Sequence, residues 1–225
     1  MTYLPIYLEL KGRRCLIVGG GEVAARRALS LLAHEADVEV VAPEIVESLR
    51  DLEQQGKIQW NPSPYESRFM SDVALAIAAT DDALVNDLVA SDAHARRVLV
   101  CRVDRARAGA NEGDFIFPGV LERGDLTISV ATLGGSPTLT SVLLDRLAQD
   151  YGPEWSTIVE LCKTIREDIK TTSTSASETR ESARAHRKAG IKRILADEEL
   201  RKLLNDGKIL EAEARARECL SLSWE

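Results

Sequence analysis

The sequence predicts an α/β fold built on a parallel, doubly wound sheet. Three observations carry this: short apolar runs alternate with helical periodicity from residue 13 to about 103, a glycine-rich turn follows the first run, and a later run ends in small residues. The runs are residues 15–18, 38–42, 58–60, 73–79 and 98–100, with helical spacing over 23–32 and 83–96 and a polar-rich segment at 44–54. Short, mostly apolar runs of this length are what strands look like when crossover helices bury both of their faces.

After Asp104 the pattern changes. Residues 105–114 are polar with interspersed Ala and Gly, and short apolar runs follow at 115–117 and 126–131. Ser136-Pro137 then opens an amphipathic helix carrying Leu139, Val142, Leu143 and Leu147, with Ser136 as N-cap and Pro137 in the first helical position. Beyond residue 152 the chain reads as helical, through Trp155, Ile158, Val159, Leu161, Cys162 and Ile165. A low-complexity polar stretch at 171–177 precedes a second helical region over 180–222. The expected organisation is a dinucleotide-binding domain of Rossmann type at 1–113, a small α/β region at 114–150 and a helical C-terminal region at 151–225.

Composition narrows the function classes. A formal net charge of −7 and a pI near 5.2 give no global attraction to polyanions, so nucleic acid is not an expected partner. The first residues lack a basic segment followed by an apolar one, and no stretch approaches membrane-spanning length, which points to the cytoplasm. Cys15, Cys101, Cys162 and Cys219 are widely separated with no CxxC, so neither a zinc cage nor a disulfide framework is expected, and no metal ligands are assigned.

The strongest chemical signal is the run 15–18 leading into Gly19-Gly20-Gly21-Glu22-Val23-Ala24, a strand entering GxGxxA and then a helix. Gly19 and Gly21 permit a tight turn and close approach of backbone N–H groups to a pyrophosphate, whose charge the helix N-terminus stabilises. Glu22 and Val23 open that helix, and Ala24 permits close helix packing. The second strand ends at Pro43-Glu44. Glu44 either reaches the ribose hydroxyls or favours the first turn of a following helix, and the lack of an Arg at 42–46 favours NAD over NADP. Ala79 and Thr80, at the end of a buried run, are placed to line the cofactor, while Asp81 or Asp82 reads as a helix N-cap.

These blocks carry a resemblance. Tyr3-Leu4-Pro5-Ile6-Tyr7-Leu8, the 15–24 string, Val41-Ala42-Pro43-Glu44, residues 76–82 with Val85-Asn86, Val103-Asp104, Asp114-Phe115-Ile116-Phe117-Pro118, and residues 126–130 followed by Gly134 and Ser136-Pro137 are together similar to the precorrin-2 dehydrogenase family. That family includes a stand-alone bacterial enzyme, the yeast bifunctional dehydrogenase/ferrochelatase and the N-terminal module of bacterial siroheme synthase. The likeness runs over residues 3–150 and implies NAD-dependent oxidation of precorrin-2, a tetrapyrrole, to sirohydrochlorin. It also implies a homodimer held through the 114–150 region. Asp104 matches the family's catalytic aspartate, and a carboxylate on the loop leaving a core strand suits the nicotinamide end of the cleft, to accept a proton or orient the ring.

The family's substrate is a polycarboxylate, so Arg102, Arg105, Arg107 and Arg123 are candidate substrate cations. Thr132 stands where some bifunctional relatives carry a serine. Two departures from the family are visible: Cys101-Arg102-Val103-Asp104 is followed by a longer connection, residues 105–114, and in the turn at 131–137 Leu133 replaces a common glycine. Two alternatives remain open at this level, a bifunctional dehydrogenase/ferrochelatase and a non-catalytic dinucleotide or tetrapyrrole sensor.

Overall fold

The computed structural model describes residues 3–104, 113–172 and 180–221, which fall into two compact units, 1–117 and 118–225. The first holds five parallel strands, β1 (Arg14–Val18), β2 (Asp37–Val41), β3 (Ile58–Asn61), β4 (Leu75–Ala78) and β5 (Leu99–Arg102), in the order β3-β2-β1-β4-β5. Three helices cross between them: α1 (Glu22–Leu32), α2 (Glu47–Gln54) and α3 (Ala83–Arg96).

The alternation of side chains along β1 explains its apolar run. Cys15 and Ile17 enter one layer with Ala24, Ala28 and Leu31 of α1 and Leu49 of α2, while Leu16 and Val18 enter the other with Val89, Ala90 and Ala93 of α3. Both faces are therefore core, as crossover helices on both sides require. Glu39 breaks the apolar pattern of β2 yet is 7% exposed, and it is satisfied by Arg14 Nε at 2.8 Å and Asn61 Nδ2 at 2.6 Å. The polar-rich segment at 44–54 contains α2, which is anchored by Leu49 and Leu52.

The run at 115–117 is not a strand. Phe115 and Phe117 pack edge to face, centroids 5.4 Å apart, against the core of the first unit, and the Arg27 guanidinium lies 4.1 Å over the Phe117 ring. The strand comes two residues later, as β6 (Gly119–Arg123), which pairs antiparallel with β7 (Leu126–Val130). In the same unit, α4 (Pro137–Asp150) is capped by Ser136, whose Oγ accepts from Leu139 N at 3.1 Å. Helices α5 (Glu154–Thr172), α6 (Arg180–Ala196), α7 (Glu198–Asn205) and α8 (Ile209–Ser221) share a core of Ile158, Leu161, Ile194, Leu200, Leu204, Ala212 and Ala216. No described helix is long and apolar enough to cross a membrane.

Candidate functional site

The strand order reverses direction of growth at β1 and β4, and open parallel sheets bind ligands beyond the carboxyl ends of their strands at such a point. A groove of about 780 Å³ lies there, lined by residues leaving β1 (Gly19 to Val23), β2 (Ala42, Pro43, Glu44) and β4 (Ala79 to Asp82), with Pro64, Tyr65, Val85 and Val103. That volume suits a small-molecule cofactor.

Each glycine of the turn meets a different constraint. Gly19 has φ +126°, and a Cβ there would stand 2.3 Å from the Ala79 carbonyl oxygen. At Gly20 a Cβ would fall 1.9 Å from the Glu44 carbonyl oxygen, and Val46 N donates to Gly20 O at 2.8 Å. The turn after β1 is thus pressed against the chain leaving β4 on one side and β2 on the other. Gly21 differs: a Cβ would meet nothing within 4 Å, so its missing side chain leaves the groove open at the N-terminus of α1. The cradle therefore fits a diphosphate, which the first N–H groups of α1 would hold.

Of the cofactor residues read from sequence, Gly19, Gly21, Glu22, Val23, Pro43, Glu44, Ala79 and Thr80 all line the groove. Ala24 does not; it is 0% exposed and packs beneath the turn, so its small size serves the approach of α1 to the sheet. Glu44 lies three residues before α2 begins at Glu47, so it is not in that helix's first turn. Asp82 is the N-cap of α3, its Oδ1 accepting from Leu84 N at 2.8 Å. The groove's described lining contains no Lys or Arg and four carboxylates, Glu22, Glu44, Asp81 and Asp82.

Beside the groove, Asp104 is held by a fork: Arg102 Nε donates to Oδ1 at 3.0 Å and Arg102 Nη2 to Oδ2 at 2.8 Å. Asn86 Nδ2 adds a third donor to Oδ2 at 3.0 Å. The Arg102 hydrogen bonds, foremost, hold the Asp104 carboxyl below the usual carboxylate range, against a smaller opposing effect of burial. The same bonds raise the Arg102 guanidinium above its ordinary value.

Of the four sequence-derived substrate cations, Arg102 and Arg123 are among the described residues. Arg102 pairs with Asp104 and with Asp87, and its side chain is 15% exposed. Arg123 belongs to the second unit, where its Nε donates to the Tyr151 carbonyl at 3.0 Å and its Nη1 to that of Glu122 at 2.9 Å. Thr132, in the same unit, bonds the Ser136 carbonyl and Thr140 Oγ1, both at 3.0 Å, at the start of α4. Arg105 and Arg107 lie outside the described residues. Asn86, which received no role from sequence, is 0% exposed at the centre of the polar network.

Comparison with known proteins agrees with this geometry. Residues 6–119 match a family described as NAD(P)-binding. The chain is 39% identical over 170 residues to a siroheme synthase of Chromobacterium violaceum, covering 76% of this chain and 35% of that protein. It is 36% identical over 180 residues to a siroheme synthase of Photorhabdus laumondii, covering 80% of this chain and 37% of the relative. The chain thus spans about a third of the length of these relatives. Among solved structures, SirC, a precorrin-2 dehydrogenase, shares the fold at a TM-score of 0.69 and 23% identity, with 95% of this chain and 100% of that chain covered. With a glycine cradle at the sheet's switch point inside the matched segment, this chain belongs to the NAD(P)-binding family, and a nicotinamide dinucleotide is its cofactor.

Proposed function

We propose that the protein is an NAD-dependent dehydrogenase that oxidises precorrin-2 to sirohydrochlorin. The observation that carries this is the occurrence, at the same end of one sheet, of a diphosphate-sized glycine turn after β1 and a half-buried carboxylate held by Arg102 and Asn86 after β5, Asp104. The named activities of the siroheme synthases and of SirC support the same reading.

Bound NAD supplies the hydride acceptor. The chain's own groups then divide the remaining work. The N–H groups at Gly21 to Val23 and the N-terminal end of α1 neutralise the pyrophosphate without any cationic side chain. Glu44 at the exit of β2 accepts from the adenosine ribose hydroxyls and repels a 2′-phosphate, which selects NAD over NADP. Ala79 and Thr80 form the wall at the reacting end.

Of the two roles open to Asp104, orientation is favoured over proton abstraction. A carboxyl held below its ordinary range is anionic at neutral pH but a weak base. Oδ1 receives one donor from Arg102, and its remaining lone pair can accept a pyrrole N–H of the substrate. The exposed stripe on α4, with Leu139 at 49%, Val142 at 57% and Leu143 at 37%, supports a homodimer in which a second copy covers it. A cytoplasmic location belongs to the same proposal.

The test is direct. Purified protein is incubated with precorrin-2 and NAD, and the tetrapyrrole spectrum is followed with NADH absorbance. Equimolar sirohydrochlorin and NADH are expected, and Asp104→Asn should reduce turnover about tenfold or more with NAD affinity within about twofold. NAD binding without turnover of the wild type would refute the dehydrogenase and leave a sensor.

A further inference from the structure

Asn86 is a polar residue on an otherwise apolar helix face, beside Val89, Ala90 and Ala93, and it is completely buried. Asparagine is a poor helix-interior residue, and a buried amide is destabilising unless each of its hydrogen-bonding groups finds a partner. Here they do. Oδ1 accepts from Thr80 N at 3.2 Å and from Thr80 Oγ1 at 2.8 Å, while Nδ2 donates to Thr80 O at 3.0 Å and to Asp104 Oδ2 at 3.0 Å.

The orientation of the amide is determined by these partners. Thr80 N can only donate, and the Asp104 carboxylate and Thr80 carbonyl can only accept, so a flipped amide would set oxygen against oxygen twice. Packing of α3 alone would be met by an aliphatic side chain. The amide's three contacts to Thr80 and one to Asp104 instead tie the loop after β4 to the loop after β5.

We infer that Asn86 is a positioning residue for the proposed oxidation, fixing the Asp104 carboxylate relative to the Thr80 wall so that substrate and cofactor meet at a set geometry. This rests on the role given to Asp104 above. Among the described residues, the charged groups facing Asp104 are Arg102 from β5 and, across that guanidinium, Asp87 from α3. One arginine therefore serves two carboxylates, and the Asn86 N–H is a side-chain donor that Asp104 does not share with Asp87.

The experiment is a double-mutant cycle on the full chain with precorrin-2 and NAD as substrates. Asn86→Asp keeps the shape and replaces the donor by a second acid. It is expected to lower kcat about tenfold, to move the acid limb of the pH–rate profile up by about one unit through like-charge repulsion, and to leave the KM for NAD within about threefold. In an Asp104→Asn background the same change should alter kcat by less than about twofold. A merely structural Asn86 would lower the melting temperature, leave the acid limb in place and multiply with the Asp104→Asn loss, and that result overturns the inference.

If Asp104→Asn turns over like the wild type, the role of Asp104 fails on its own, whatever Asn86 does. Should Asn86→Asp not fold, Asn86→Ser, too short to reach Asp104, is read for the same kcat loss and the same non-additivity. The wild type gives an independent reading: strong protection of both Asn86 side-chain amide protons from exchange is expected, and exchange at the rate of an exposed amide contradicts the inference.

Discussion

Three consecutive glycines should respond to the same substitution in opposite ways. Gly19→Ala forces a side chain into φ +126° and drives its Cβ to 2.3 Å from a backbone oxygen that no rotamer change can move aside. Strain at such a φ costs about 1–3 kcal/mol, and overpacking against backbone adds about 1–3 kcal/mol. Gly20→Ala meets Glu44 O at 1.9 Å and should destabilise by a similar overpacking amount. Gly21→Ala has φ −87° and open space, so the loss at the N-cap, a few tenths to about 1 kcal/mol, is offset by the reduced entropy of the unfolded chain.

Thermal melts of the three variants should therefore show Gly19→Ala falling by roughly 10 °C, Gly20→Ala by roughly 5 °C and Gly21→Ala staying within about 3 °C. Calorimetric titration then reads the groove. The Gly21→Ala methyl stands in the cradle, and NAD affinity should drop about tenfold, about 1.4 kcal/mol, in a protein of near-normal stability. A Gly21→Ala variant that binds NAD as the wild type does, or that melts as early as Gly19→Ala, refutes the geometric argument.

Two further outcomes follow from the site. Glu44→Arg replaces the carboxylate at the β2 exit by a cation and should lower the ratio of NADP to NAD dissociation constants about tenfold or more by calorimetry; an unchanged ratio would remove Glu44 from the ribose end. Asp104 and Asp197 are both held below the ordinary carboxylate range, the first mainly by Arg102 and the second mainly by the backbone N–H of Leu200. Their contribution to stability is therefore present above the unfolded value of about 3.9 and lost as pH falls through the folded value, so urea midpoints should decline in acid below about pH 4. That decline should flatten in Asp104→Asn combined with Asp197→Asn, and an equally steep decline in the double variant contradicts the assignment.

The parallel sheet was legible because its central strands β1 and β4 are buried on both faces, which leaves an uninterrupted apolar run such as Cys15 to Val18. β6 was not, because only Leu121 of its five residues is buried and Glu122 and Arg123 make it read as a loop. Phe115 and Phe117, a short apolar run in the sequence, cover the core of the first unit instead of pairing as a strand. The groove could be read from the glycine string and from the small residues ending β4, because these are local requirements of a close approach.

What sequence could not supply were contacts across space. Gly20 gained its reason from Glu44, and Asn86 from Thr80 and Asp104 together. A polar residue inside an apolar helix face was the available signal for Asn86. Arg102 was read from sequence as a candidate substrate cation, and its pairing with Asp87 and Asp104 is a further contact across space.

The central claim is that bare main chain at the sheet's edge holds a nicotinamide dinucleotide. Amide chemical shifts of the isotope-labelled chain, followed while NAD is added, test it most directly. Saturable changes concentrated at Gly19 to Val23, Glu44 and Thr80 are expected. A folded chain whose amides stay unmoved at millimolar NAD, or shift elsewhere, would contradict it.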